Sequence, residues 1–307
     1  MPRGRGSSVP CRRVPASRCP LPQRFNHVRG RSLTGEPYRP AIAFDDDTAL
    51  EPSADGVYAG HIGEGWWTPR GPLGGYVMAI LLRGLSHAVA DEARQPRALT
   101  VYFLRPPTVG AIAVAPTVER AGRSLTIASA RLEQEGTLLA LALGAFSGPW
   151  PGPLLSEAPM PEVEPPRRRA APPRDLPDAR RPPFTDLVTM EGRFGAAPFS
   201  GADRAEAGGW LGLYEERSID ALSVLVLADA WYPAPWARLR ALAPAPTVEM
   251  TVHFRASLPL PDSLLLGRFR SRLVRDGFFE EDGELWAPDG TLVAQSRQLA
   301  LLIGAEA

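Results

Sequence analysis

One pattern runs through this chain twice. The first copy opens with "LGGYVMAILLRGLSHAV", a helix-like run with apolar residues at Val77, Ile80, Leu81 and Leu85, and continues through "LTVYFLRPP" into "AVAPTVERAGRSLTIASARLEQEGTLLALALGAFS". The second has "SIDALSVLVLADAW", then "EMTVHFRASL", then "LLGRFRSRLVRDGFFEEDGELWAPDGTLVAQSRQLALLI". Thr100-Val101 matches Thr251-Val252 at an offset of 151, and Gly136-Thr137-Leu138 matches Gly290-Thr291-Leu292 at an offset of 154. Order and offset persist, so the chain reads as an internal duplication. Each half is one helix followed by several strands, and "QEGT" and "PDGT" carry the glycine that tight hairpin turns require. Strands joined by short turns make an antiparallel sheet. A helix that is apolar nearly all round must be wrapped rather than laid on a surface. The expected class is therefore α+β, each half an antiparallel sheet curled around a central helix.

Patterning also sets the boundaries. Residues 1–40 are rich in Arg, Pro, Gly and Ser without periodicity and are expected to be disordered. Residues 41–147 hold the first patterned unit and 185–307 the second. Between them, 148–184 is a Pro/Arg-rich stretch containing "EPPRRRAAPPRDLPDARRPP", expected to be a long solvated connection.

Composition removes several classes of function. Acidic and basic residues balance at 34 each, which argues against nucleic acid or an anionic membrane as the main partner. Every basic residue apart from histidine is Arg, so no lysine exists for a phosphate-binding loop or a Schiff-base cofactor. Both cysteines, Cys11 and Cys19, lie in the N-terminal tail, which excludes a disulfide framework or a cysteine zinc site in the patterned units. No G-x-S-x-G elbow is present, no G-x-G-x-x-G follows a strand, and His61 and Glu64 in "HIGE" are too few for a metal site. No metal and no cofactor are expected. No apolar run reaches the roughly 18 residues of a membrane span, and the Arg-rich start lacks the apolar region of a secretory signal. A cytoplasmic protein is the expectation.

One acid is out of keeping with its surroundings. Asp229 closes the greasy segment "VLVLADAWYPAP", with no Lys or Arg within eight residues on either side. It follows Leu222 and Leu225 at i+7 and i+4 and so shares their buried face.

These residues resemble the hotdog fold doubled in one chain, and in particular the type II acyl-CoA thioesterases and their thioesterase-like relatives. "GPLGGY", Gly71 to Tyr76, is similar to that family's FGG-type motif at the start of the first helix, and "YFLRP" at Tyr102–Pro106 matches its first-half strand. The resemblance covers roughly 41–147 and 185–303 and implies two tandem hotdog domains. It also implies a catalytic Asp, Thr and Gln in the second half. Asp229 stands at the end of the second helix, Thr247 at the start of the following strand, and Gln298 on the last strand after "GTLVA". The chain departs from the family at Tyr76, where Gln is frequent after the glycine pair, and at Thr100, where His is frequent. By the same resemblance Gly74, Gly75, Tyr76 and Thr100 belong to the substrate site. The Trp66-Trp67 pair reads either as a pocket wall, in which case Trp67 joins that set, or as core packing.

The chemistry fits these residue types. Burial makes a carboxylate a better base near neutrality, and Thr and Gln can hold one water in attack geometry. Gly74 and Gly75 let a substrate carbonyl approach the N–H groups of a helix N-terminus. A buried acid is costly, so replacing Asp229 by Leu is expected to leave stability intact. The expected reaction is hydrolysis of a fatty acyl-CoA or a related pantetheine thioester. Two alternatives stand beside it. One is a non-catalytic acyl-CoA or lipid binder, prompted by Tyr76 and Thr100. The other is a double-hotdog enoyl-CoA hydratase, which usually needs a His close to the Asp, whereas the chain has none between Asp229 and His253. Relatives associate, so a homodimer or higher homo-oligomer is expected.

Overall fold

The computed structural model describes residues 44–167 and 182–304 of the 307-residue chain. The tail expected over 1–40, with its two cysteines, and positions 168–181 of the expected connection lie outside the described residues.

Three α-helices are present among these residues: α1 (Phe44–Asp47), α2 (Gly74–Val89) and α3 (Ala221–Asp229). The first-half strands are β1 (Glu51–Pro52), β2 (Tyr58–Ile62), β3 (Trp67–Thr68), β4 (Gly71–Pro72), β5 (Gln95–Phe103), β6 (Gly110–Ala121), β7 (Thr126–Gln134) and β8 (Thr137–Ser147). Those that follow are β9 (Val188–Gly195), β10 (Glu206–Leu213), β11 (Thr247–Phe254), β12 (Leu265–Arg270), β13 (Val274–Arg275), β14 (Phe278–Trp286) and β15 (Leu292–Leu301).

All but β3 and β4, which pair with each other, join one sheet in the order β1-β2-β6-β7-β8-β5-β11-β15-β14-β12-β10-β9, with β13 on β14. Every pairing is antiparallel, as the short turns require. The β7–β8 turn is the expected hairpin: Gln134 pairs with Thr137, and Glu135 and Gly136 both take positive φ, 51° and 73°.

At the centre β5 lies against β11 with Thr100 opposite Thr251, the two residues the sequence offset matches, and their hydroxyls are 2.9 Å apart. Outward from that pair the ladders repeat. A bulge between Pro96 and Ala98 interrupts β5–β8, and one between Thr247 and Glu249 interrupts β11–β15 at positions displaced by the same 151 residues.

α2 packs on β6, β7 and β8, and α3 on β10, β11, β14 and β15. Both helices are enclosed, with Gly75 to Leu82 and Ser223 to Ala228 all buried. Each large aliphatic side chain so buried contributes about 1.5–3 kcal/mol. The stretch expected to be a solvated connection is only partly so. Leu154 and Leu155 are exposed, but from Ala158 onward the chain crosses the outer face of the second-half strands. The Ala158 and Glu164 carbonyls accept from the indoles of Trp286 and Trp210, and Met160 and Val163 pack on the cluster of Trp210, Leu264, Leu266 and Trp286. A sheet with apolar residues on both faces needs a second cover, and this strap supplies it.

The helices differ at their N-termini. α3 has its own capping box, with Asp220 accepting from the Ser223 N–H and the Ser223 hydroxyl accepting from the Asp220 N–H. α2 begins after Leu73, which offers no capping side chain. Its start is pressed against α3: a Cβ on Gly75 would stand 2.8 Å from the Val226 Cα and closer still to the Leu225 carbonyl. Neither backbone can yield without shifting its helix. Gly75→Ala is therefore expected to lower stability by about 3 kcal/mol, the upper range for overpacking. Chemical denaturation would measure it, and an unchanged midpoint would show that the helices part easily.

Candidate active site

Asp229 supplies the cap that α2 lacks. Its Oδ2 accepts from the Gly75 N–H at 2.8 Å. Gly74 stays bare for the same reason, since a Cβ there would lie 3.0 Å from that oxygen and 3.3 Å from the Phe103 ring. Asp229 keeps part of its surface accessible, but its carboxyl is desolvated, and this pushes its pKa up to about 6, opposed only in part by the backbone N–H groups of Gly75 and Gly74. Its own helix end repels negative charge while the start of α2 attracts it. The bond to Gly75 gives Asp229 a structural share that sequence reasoning leaves out. A leucine at 229 orphans the Gly75 N–H, whereas an asparagine can still accept from it.

Thr247 and Gln298 come together on the inner face. The Thr247 hydroxyl donates to Gln298 Oε1 at 2.8 Å. In a regular strand Thr247 shares the outer face with Glu249 and Thr251. The bulge between Thr247 and Glu249 adds a residue, so Thr247 sits opposite Ala300 on the inner face while Glu249 sits opposite Leu299 on the outer one.

A further acid belongs to the cluster. Glu281 on β14 is only 5 % exposed; its Oε1 accepts from Gln298 Nε2 at 2.8 Å and its Oε2 from the Ala234 N–H at 2.5 Å. Burial pushes its carboxyl up to about 7, the bonds from Ala234 and Gln298 work against that shift, and the negative charges of Asp229 and Asp282 add to it. The signal for Glu281 was in the sequence: it alternates with Phe279 and Leu285 and so holds a core-facing position in "FFEEDGELW". Phe103, beside Gly74, is likewise an inward residue of the quoted "YFLRP".

The other expected residues do not gather here. Tyr76 is fully buried, stacked on Trp66 at 5.6 Å, with its hydroxyl donated to the Asp47 carbonyl. Thr100 faces Thr251 on the outer side of the sheet, away from the helices. Trp67 is half-buried on the β3–β4 hairpin just before α2, its indole donating to the Gly63 carbonyl. His253 is exposed beside Thr251 on the outer face; no histidine adjoins Asp229 among the described residues. Among the same residues no cluster of His, Cys, Asp and Glu fits a metal, and no helix is long and apolar enough to cross a membrane.

The ladders also locate the counterpart of this cluster in the first half. Pro96 stands where Thr247 does, Gly144 where Gln298 does, and Ala128 where Glu281 does, so the counterpart has no polar side chain at these positions. A cavity of about 490 Å³ opens beside Pro96, lined also by Asp45, Gln95, Arg217, Asp220 and Leu258. Of its two acids, Asp45 and Asp220, the second is unlike Asp229. Burial raises the Asp220 pKa, but bonds from Arg217 and Ser223 more than reverse this and hold it below the usual range.

Comparison with known proteins agrees with this architecture. A solved hotdog-fold protein of unknown function from Alicyclobacillus acidocaldarius is 29 % identical, with a TM-score of 0.75 over 87 % of this chain and 99 % of its own. A putative thioesterase II from Thermobifida fusca is 28 % identical, with a TM-score of 0.72 over 86 % and 98 %. An acyl-CoA thioesterase II from Mycobacterium marinum, 18 % identical with a TM-score of 0.68 over 85 % and 97 %, shares the fold. The class is thus the hotdog fold. The family profile described as the acyl-CoA thioesterase N-terminal domain matches residues 64–147, and that of the C-terminal domain matches 162–302. The chain belongs to this acyl-CoA thioesterase family. Among curated proteins there is no match.

The raised carboxyls have a consequence for stability. Asp229 and Glu281 ionise at higher pH when folded, about 6 and about 7, than their ordinary 3.8 and 4.5. The stability they contribute by holding a proton is complete below those ordinary values and is lost as pH rises through 6 and 7. The melting temperature of Asp229→Asn/Glu281→Gln, relative to wild type, should therefore climb between about pH 4 and 7 and level off above that. A difference flat with pH would show that neither carboxyl titrates there.

Proposed function

We propose that the chain is two hotdog units in tandem sharing one sheet, and that it hydrolyses an acyl-CoA or related pantetheine thioester with water activated by Asp229. The observation that carries this reading is a desolvated carboxylate with a pKa near neutrality, pinned through one oxygen to Gly75 at the start of α2. Oδ1 remains to take a proton from water. The water oxygen bonds to the thioester carbon, and the tetrahedral intermediate expels the CoA thiolate. The proton held by Asp229 then returns to the thiolate or to solvent.

Thr247 and Gln298 fit the role of positioning that water. The Thr247 hydrogen is given to Gln298, so its lone pairs are left to accept from the water, and Gln298 keeps one N–H for a developing oxyanion. The Gly75 N–H is committed to Asp229, which argues for that amide rather than Gly75 as the oxyanion donor. Phe103, beside Gly74, offers an apolar wall for the acyl chain. The placements of Tyr76 and Thr100 weigh against the non-catalytic reading, and the exposed outer-face position of His253 weighs against a hydratase.

The test is thiol release from a panel of acyl-CoAs. Asp229→Asn keeps the acceptor for Gly75 and should melt near or above wild type at pH 8, yet release thiol at least about 100-fold more slowly, the range for losing a general base. Equal rates in the two proteins would remove Asp229 from the mechanism.

A further inference from the structure

Glu281 is a buried acid that nothing in the proposed reaction uses directly, yet its two oxygens fix the orientation of two residues that the reaction does use. A carboxylate only accepts. One oxygen is occupied by the Ala234 N–H, a backbone donor in the segment that follows α3 and Pro233. The other faces Gln298, which must therefore present its NH₂ group to Glu281 and its carbonyl to Thr247. Thr247 in turn must spend its hydroxyl hydrogen on Gln298.

We propose that Glu281 is a positioning residue that sets the direction of the Glu281–Gln298–Thr247 hydrogen-bond chain, and thereby which atoms Thr247 and Gln298 turn toward the water and thioester at Asp229. The proposal deepens the thioesterase reading and rests on it for its catalytic consequence. With the chain in this direction, Thr247 meets any further partner as an acceptor and Gln298 keeps a spare donor.

An amide in place of the carboxylate reverses the direction. In Glu281→Gln the new carbonyl must still face the Ala234 N–H, so the new NH₂ faces Gln298. Gln298 then turns over and offers its own NH₂ to Thr247, which becomes the acceptor in that bond and points its hydrogen elsewhere. The count of hydrogen bonds is unchanged and one buried charge is gone, so the fold has no reason to weaken. Only the polarity differs.

Protonation of Glu281 on the oxygen facing Gln298 has the same effect. The groups that act on Glu281 are Asp229 at the end of α3, the Ala234 N–H, Gln298 on β15, and Asp282 beside it on β14, whose carboxylate is bonded by Arg297.

Two measurements on wild type and Glu281→Gln test the proposal. In steady-state hydrolysis of an acyl-CoA that wild type turns over, the variant should lose about tenfold or more in kcat with KM little changed, while melting no lower than wild type. A kcat within twofold of wild type, or a loss accompanied by a matching fall in melting temperature, would overturn the proposal. The second measurement needs no turnover. The side-chain amide resonances of Gln298, assigned by their absence in Gln298→Leu, should differ in position between wild type and Glu281→Gln, and a titration near pH 7 in wild type should be missing from the variant. If wild type hydrolyses no thioester but these resonances behave so, the thioesterase reading fails and the orienting role of Glu281 stands. If they are the same in wild type and Glu281→Gln, the orienting role fails.

Discussion

The hydrogen bond from the Gly75 N–H to Asp229 Oδ2 joins the start of α2 to the end of α3, and it forms because Gly75 places no side chain between the two backbones. Each element depends on the other. α2 has no capping residue of its own, so its exposed N–H groups need an acceptor from outside the helix. Among the described residues Asp229 has no cation to offset its burial, so the start of α2 is its main favourable partner. The crossing that buries both helices also creates a carboxylate with a pKa close to neutrality.

The two acids at the ends of α3 show how environment divides one residue type into two roles. Asp220 caps its own helix and is paired with Arg217, and its carboxyl is held low. Asp229 caps a different helix and meets no charge of opposite sign among the described residues, and its carboxyl is held high. An acid that ionises far below neutrality is a poor base and a good structural anion; one near neutrality can exchange a proton in the working range.

The symmetry of the sheet is real in its backbone and absent in its chemistry. Matching bulges at Pro96 and Thr247 interrupt matching ladders on either side of the Thr100–Thr251 pair. In the second half the bulge turns a threonine inward to meet Gln298, which in turn bonds Glu281; in the first half the same positions hold Pro96, Gly144 and Ala128. Of the two geometrically equivalent places, the second-half one alone carries polar side chains at these three ladder positions. The strap from Ala158 to Glu164 adds a second difference by covering the outer face over Trp210 and Trp286.

Much of this was legible without coordinates. The duplication, the enclosed helices, the hairpin at Gly136 and the candidate trio of Asp229, Thr247 and Gln298 follow from period, turn chemistry and resemblance, because each is a local property of residue type and spacing. Three things were not. Thr247 lies inward because of a bulge, and strand alternation alone puts it on the wrong face. Tyr76 and Thr100 adjoin motif residues in the chain, yet the core and the outer face claim them, since neighbours in a helix or strand point in different directions. The inward position of Glu281 follows from strand alternation, but its partners do not, since only long-range pairing brings Ala234 and Gln298 within reach. The sequence by itself determined which segments must be helix, strand and core. The tertiary structure decided which polar groups share one desolvated space, because desolvation and hydrogen-bond direction depend on what packs against a side chain rather than on what adjoins it in the chain.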